Sequence, residues 1–196
     1  MEAQTSELSA VNTMLRSIGE APVSTLEDSE LVDAHMAYQT LAEVSREVQA
    51  QGWAWNTERD KELKPDSDGH IDVPSNTLSL KPVRQDAWRS LVLRGKRVRD
   101  TKENTETFKS PIRVELVMFL QWDDLTELAR RYFTVRAGRQ FQTDVVGSQT
   151  LFQFKQQDEL RALLALEEEE AEIAGYNMAD SAGVAAVLDR NHPRNF

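Results

Sequence analysis

Residues 7–26 read ELSAVNTMLRSIGEAPVSTL, a segment that begins as a helix and ends as a turn. Its apolar side chains recur at helical spacing along one stripe, which comprises Leu8, Val11, Leu15 and Ile18. Ser6 or Thr5 is a suitable N-cap, because a hydroxyl oxygen accepts a hydrogen bond from a free N–H of the first turn. Gly19 is a natural stop, and Pro22 excludes continuation. The stretch predicts a short amphipathic helix.

A second, longer helix is predicted from about residue 30 to residue 51. Asp28 or Ser29 is available as its cap, and Gly52 ends it. Its apolar face repeats through Leu31, Ala34, Tyr38, Leu41, Val44 and Val48. The short connection and the matched stripes predict that the first two helices are antiparallel neighbours.

The helical period ends at an aromatic pair, Trp53 and Trp55. Alternation from this point predicts that both rings and Thr57 point to the same side of an extended segment. Such a pair could be an exposed interface anchor. Tryptophan where a helix enters a sheet is more often core, so we expect Trp53 to be buried opposite Phe119 or Trp122.

Four further segments have strand character, and they are residues 77–80, 88–98, 105–108 and 112–120. The second of these reads as a hairpin that turns at Gly95. The last, IRVELVMFL, is the strongest strand signal in the chain and is apolar enough to lie centrally. Together they predict a small, mostly antiparallel sheet between residues 55 and 121.

Helical spacing returns after this last strand. Asp124 and Glu127 form a D-x-x-E capping pattern for a helix that should run to about Thr143. A last long helix is predicted to follow Gly147 and to be closed by Gly175. The apolar stripe comprises Leu125, Leu128, Tyr132 and Val135 in the first of these helices, and Leu151, Phe154, Leu160, Leu163 and Leu164 in the second.

The order helix, helix, strands, helix, helix predicts an α+β fold. We expect an antiparallel bundle of about four helices from residues 1–54 and 122–178. Residues 55–121 would form an inserted, mostly antiparallel β-sheet domain. Residues 179–196 carry no pattern that fixes them, and they are expected to be a flexible C-terminal tail.

The composition excludes several classes of function. The 196 residues include no cysteine, so disulfides, thiol nucleophiles and cysteine-based metal sites are excluded. No apolar run is long enough for a transmembrane helix, and the N-terminus lacks the pattern of a secretory signal. The net charge of −10 makes a poor nucleic-acid binder, because DNA affinity rests on phosphate neutralisation by Lys and Arg.

Four segments carry a resemblance to a known family. They are the opening ELSAVN with SIGEAPVSTL, then QGWAWN at residues 51–56, RQF at 139–141 and GYNM at 175–178. In order and spacing they resemble the tail tubular protein A family of short-tailed bacteriophages. The four segments together span nearly the whole chain.

The resemblance implies a structural virion protein without enzymatic activity or a cofactor. Members of that family form a dodecameric ring that joins the portal protein to the nozzle, tail tubular protein B, and anchors tail fibres. Viral DNA would pass through the lumen without specific binding during ejection, and no membrane anchor is implied. The resemblance places the protein in the virion tail, assembled in the bacterial host cytoplasm. It also places portal contact on the helices and tail, and nozzle and fibre contact on the sheet.

Two groups of residues are candidates for partner interfaces. The first is the basic hairpin tip, which comprises Arg94, Lys96, Arg97 and Arg99. It could grip an acidic protein surface or phosphate, or its charge could serve only to block edge-to-edge pairing of strands. The second, after Gly175, comprises Tyr176, Asn177 and Met178, a possible docking element that orders on meeting its partner. The glutamate run 167–170 is either a solvated helix face or part of a ring lumen.

A glycan or cell-wall hydrolase is the alternative function. Paired carboxylates can divide acid and base roles, and the candidates are Asp123 with Asp124, and Glu58 with Asp60 and Glu62. A helix cap explains the first pair equally well, and a solvated strand explains the second group. A metal site is not indicated, because His35, His70 and His192 lie far apart and outside any ligand motif. A nucleic-acid binder built on the basic hairpin is a third possibility, which the charge disfavours.

Overall fold

The computed structural model describes residues 4–26, 31–147 and 149–179, without the side chains of 149–154, 174 and 176–179. The helices are α1 (Glu7–Ile18), α2 (Val32–Gln49), α3 (Glu127–Val145) and α4 (Gln149–Ala179). The strands are β1 (Thr57–Leu63), β2 (Thr77–Pro82), β3 (Leu91–Arg94), β4 (Arg97–Asp100) and β5 (Ile112–Met118). The predicted α+β class is confirmed, with helices on both sides of the strands in the sequence.

The first helix forms as its sequence predicts. Ser6 accepts the N–H of Ser9, and Gly19 ends the helix in the left-handed region at φ 89°. The buried face has shifted by a residue from the predicted stripe and comprises Ala10, Val11, Met14 and Leu15. Small Ala10 allows close approach to the neighbouring helices, so Leu8 and Ile18 lie at the edge of the core.

The second helix packs on a narrower face than predicted. Ala37 is fully buried, whereas Tyr38 is exposed, so the assignment of Tyr38 to the apolar stripe was wrong. The small side chain of Ala37 fits between packed helices where a tyrosine ring does not. The predicted caps Asp28 and Ser29 lie outside the described residues, and the observed cap, Leu31, contributes no side-chain hydrogen bond.

The third helix is central, because it packs against α1, α2 and α4. The capping prediction for Asp124 was wrong: Thr126 is the N-cap, and its hydroxyl accepts the N–H of Ala129. Asp124 instead ends a short 3-10 turn that precedes the helix. The core between the four helices is rich in aromatic rings, including Trp122, Tyr132, Phe133 and Phe141.

The last helix differs most from its prediction. It continues through Gly175 to Ala179, because Gly175 keeps a right-handed backbone and the residues before it are strong helix formers. Leu160 and Leu164 are each 55% exposed, so their assignment to the buried stripe was wrong. Ala162 and Leu166 face α3 instead. The side chains of Leu151 and Phe154 and the predicted flexible tail beyond Ala179 lie outside the described part of the chain.

The strands form a three-stranded antiparallel sheet in the order β1-β5-β2 and a separate β3-β4 hairpin. The central position predicted for β5 is confirmed, and its buried residues include Ile112, Val114 and Leu116. Gly95 sits in the hairpin turn with φ 62°. The predicted strand at 105–108 forms only isolated bridges, through Thr105 and Thr107. These strands enclose a second apolar cluster that includes Ile71, Val98 and Phe108.

Candidate interaction surfaces

A buried glutamine joins the helices to the sheet. Gln49, at the end of α2, is 0% exposed. Its Oε1 accepts the Leu120 N–H at 2.7 Å, and its Nε2 donates to the Leu120 carbonyl at 3.1 Å and to Ser45 Oγ at 3.0 Å. One side-chain amide therefore pairs with one backbone residue as a neighbouring strand would. This pairing fixes the chain where it returns from β5 to the helices.

Asn56 completes the junction from the other side of the turn. Its Oδ1 accepts the Trp53 N–H at 2.8 Å, and its Nδ2 donates to the carbonyls of Gln49 and Met118, both at 2.9 Å. Gly52 lies between them at φ 81°, and a Cβ there would come within 3.0 Å of Val117 Cγ2. We call Gln49, Gly52 and Asn56 the junction clasp.

The aromatic pair at the junction belongs to the core. Trp53 is buried, as predicted, and its ring stacks on Trp55 at 6.2 Å between centroids. The predicted extended geometry was wrong, because Ala54–Asn56 form a 3-10 turn and β1 begins only at Thr57. The turn forms because the Asn56 side chain caps the Trp53 N–H. Its aromatic neighbour is therefore Trp55 and not the expected ring across the sheet.

Two glutamates of α4 also hold the junction. Both carboxylate oxygens of Glu170 accept the Ala54 N–H at 2.8 Å, and Glu169 accepts the Thr126 hydroxyl at 2.8 Å. Ala54 and Thr126 are the points where the chain leaves the helices and where it re-enters them. Glu167 and Glu168 are exposed, so the glutamate run divides between a structural and a solvated half.

Most of the basic hairpin tip is paired within its own chain. The β3-β4 register sets Arg94 opposite Arg97, which places the arginines Arg94, Arg97 and Arg99 on one face. Glu106 lies 3.6 Å from Arg94 and 3.0 Å from Arg99, and Asp72 lies 3.1 Å from Arg97. Lys96 lies in the turn and forms no ion pair with the described residues.

A buried ion-pair network lies at the base of this hairpin. Arg89 donates to Asp86 at 3.1 Å and to Asp100 at 3.0 Å, and both carboxylates are nearly inaccessible to solvent. The Arg89 guanidinium lies 4.5 Å from the centroid of the Trp88 ring. Lys102 lies 5.3 Å from the same centroid and donates to the Trp88 carbonyl. We call Trp88, Arg89 and Lys102 the Trp88 patch.

Protonation of Asp100 at low pH should lower the stability of the ion-pair network at the base of the hairpin. Burial alone would raise the pKa of Asp100, but hydrogen bonds from the Glu103 N–H, the Arg89 guanidinium and the Lys102 N–H outweigh it and hold the pKa below its usual 3.8. A lowered folded-state pKa adds stability above the unfolded pKa, and this stability is lost as pH falls through the folded value. In urea titrations between pH 7 and pH 2, the stability gap between wild type and Asp100→Asn should therefore shrink below about pH 4. A gap that stays constant with pH would contradict this assignment.

Comparison with known proteins supplies the decisive observation. A family model described as tail tubular protein matches residues 8–176, which include all five strands, α2 and α3, and all but the outer ends of α1 and α4. The chain belongs to the tail tubular protein family. It is therefore a structural component of a phage tail and not an enzyme, as the sequence resemblance implied.

A curated relative agrees with this assignment. Tail tubular protein A of Klebsiella phage KP34 is 31% identical over 123 residues. The alignment covers 63% of this chain, and the chain spans 64% of the length of that relative.

The carboxylates considered for hydrolysis are dispersed in this tail tubular protein. Asp123 and Asp124 are exposed within a 3-10 turn. Asp60 lies at a bulge in β1 with φ 54°, which interrupts the regular alternation with Glu58 and Glu62. Each of these three strand carboxylates is paired with a cation: Glu58 lies 2.9 Å from Lys61, Asp60 lies 2.7 Å from Arg84, and Glu62 lies 3.2 Å from Arg113. No observation here favours the hydrolase alternative.

Among the described residues, no three His, Asp or Glu side chains are grouped so that they could bind a metal ion. His35 is exposed on α2 and pairs with Gln39, while His70 bridges to Thr107. His192 lies outside the described residues. No described helix is long and apolar enough to cross a bilayer.

Sequence reasoning missed the residues that hold this tail tubular protein together. Gln49 and Arg89 carry no motif, and their roles depend on partners 71 and 11 residues away. QGWAWN, one of the segments that carry the resemblance, does contain Asn56, although its role was not predicted. The backbone of Tyr176, Asn177 and Met178 continues α4, and their side chains lie outside the described part.

Proposed function

We propose that this tail tubular protein is the adaptor ring of a short-tailed phage, joining the portal to the nozzle. Twelve copies would close into a ring around the path of the DNA. The observation that carries the proposal is the family match across residues 8–176, because it includes both the helices and the sheet. The match therefore concerns the whole fold of a tail protein and not a module shared with unrelated proteins.

The shape of the subunit supports a ring. A closed cyclic ring needs a heterologous interface, in which one face of a subunit fits a different face of the next. The helices and the strands enclose separate apolar clusters, so the subunit offers surfaces of different character. We propose that residues 1–54 with 122–178 act as one domain and residues 55–121 as the other.

The partners follow from this arrangement. The helices and the residues at the end of α4, including Tyr176, Asn177 and Met178, would contact the portal. The sheet and its basic hairpin, including Arg94, Lys96, Arg97 and Arg99, would contact the nozzle and tail fibres. Assembly would take place in the host cytoplasm. DNA would pass without specific binding, because a net charge of −10 repels phosphate.

Light scattering of the purified protein, alone and mixed with a portal ring, tests the proposal. The expected result is a mass corresponding to twelve subunits, reached either by the protein alone or only when portal is added. Bovine serum albumin in place of portal controls for nonspecific association. A protein that stays monomeric and ignores the portal would disprove the adaptor role.

A further inference from the structure

Trp88 is exposed and yet held in place. Its side chain is 49% accessible to solvent, although tryptophan is among the costliest side chains to leave in water. The Arg89 guanidinium fixes the ring from one side and is itself tied to the buried carboxylates of Asp86 and Asp100. Rigid, exposed tryptophan beside arginine is the typical composition of a binding hot spot, because little conformational entropy remains to be lost.

The segment of the chain that carries the Trp88 patch is basic in an acidic protein. Residues 77–110 contain nine Lys and Arg against four Asp and Glu, a net charge of +5. The rest of the chain therefore carries −15. Five of these nine cations are ion-paired within the described residues. The ammonium of Lys102 forms no ion pair there, and it contacts the Trp88 ring and carbonyl. An occupant of this patch should be acidic and should carry apolar side chains for the indole.

The outer face of α4 has that composition. Leu160 and Leu164 are half-exposed, and Glu167 and Glu168 both lie about one turn beyond Leu164 on the same side of the helix. Residues 156–172 contain seven Asp and Glu against one Arg, a net charge of −6. The opposite side of α4 packs on α3, so the outer face has no partner in the described part of the chain. We call Leu160, Leu164, Glu167 and Glu168 the outer face of α4.

We propose that the Trp88 patch of one subunit binds the outer face of α4 of the next subunit in the ring. The inference rests on the proposed adaptor function and specifies its subunit interface. One chain carries both halves of the contact, one apolar and basic, the other apolar and acidic. Opposite charges steer such faces together and disfavour the pairing of like faces. A contact between two different faces is heterologous, which is the kind that builds rings.

Substitution of the anchor is the first test. Trp88→Ala should raise the protein concentration needed for ring assembly by about tenfold or more, as for a hot-spot residue. Light scattering across a dilution series measures this shift, and the melting temperature reports whether the subunit stays folded. Val32→Ser is the matched control, because Val32 is 71% exposed but lies on α2, outside both faces. Equal assembly of Trp88→Ala and wild type would overturn the proposal.

Cross-linking is the second test, and it tolerates a destabilised Trp88 variant. The chain has no cysteine, so Glu103→Cys and Gln157→Cys each introduce a single thiol, the first beside the Trp88 patch and the second on the outer face of α4. When the two variants are mixed, a short bismaleimide should cross-link the thiol introduced at position 103 of one subunit to the thiol introduced at position 157 of the next. Each variant treated separately should not give this product. Rings without the mixed product would overturn this interface and leave the adaptor function standing. Failure to form rings with or without portal would overturn both.

Discussion

Replacing Arg130 by methionine should destabilise the subunit by about 3 kcal/mol. The guanidinium is 2% exposed, and it donates to the carbonyls of Leu125 at 3.2 Å, Thr5 at 3.1 Å and Asp123 at 2.8 Å. Methionine nearly fills the space, but it leaves these carbonyls without their charged donor in a site with little access to water. Urea unfolding followed by circular dichroism measures the change.

The neighbouring arginine provides the control. Arg131 is exposed on the same turn of α3, so Arg131→Met should change stability by less than about 0.5 kcal/mol. The N-terminal segment should also loosen in the Arg130 variant, because Thr5 is held by that guanidinium and by Trp122 Nε1. Hydrogen exchange at residues 4–10 would show this loosening. Equal effects of the two substitutions would mean that the buried arginine has no special role.

Replacing Gln49 by leucine should cost about 2–4 kcal/mol. Leucine matches the volume and helix propensity of glutamine, so the loss reports on hydrogen bonds and not on packing. The Leu120 N–H and carbonyl would each lose a partner in a partly buried site. Differential scanning calorimetry should show a lower melting temperature.

Gln51 is the matched control for this substitution. It lies two residues further along and its side chain is exposed, so Gln51→Leu should be nearly neutral. Hydrogen exchange adds a second readout, because faster exchange should concentrate at Leu120 and at the end of β5. Uniformly faster exchange over the helices would instead indicate a general loss of packing, and the junction clasp would then have no separate role.

Short sequence signals correctly predicted the helices, strands and turns that are stabilised by residues within the same segment. The helix at α1 carries its own cap and stop, and the strand at β5 combines β-branched residues with an apolar run. The hairpin turn at Gly95 follows from the glycine alone. In each of these segments the sequence pattern and the tertiary environment favour the same structure.

Predictions failed where contacts between distant parts of the chain determine which side chains are buried or where a helix ends. Periodicity assigned Leu160 to a buried stripe, but α4 packs chiefly on α3 and buries a different side. The helix was predicted to stop at Gly175. A glycine inside a helix costs about 1 kcal/mol relative to alanine, and the strong helix formers before Gly175 outweigh this cost. The clasp at Gln49 was not foreseen, because no sequence pattern announces that a side-chain amide will pair with a backbone 71 residues away.

The two glutamates that hold the junction connect the long helix α4 to both crossings between the helices and the sheet. The helix has 31 residues and is about 46 Å long, and Glu169 and Glu170 lie about two thirds of the way along it. From these attachment points the helix projects a further nine residues to Ala179, about 13 Å of stiff rod. A pull on that end would act through Glu170 and Glu169 on Ala54 and Thr126 together, the two crossings between helices and sheet.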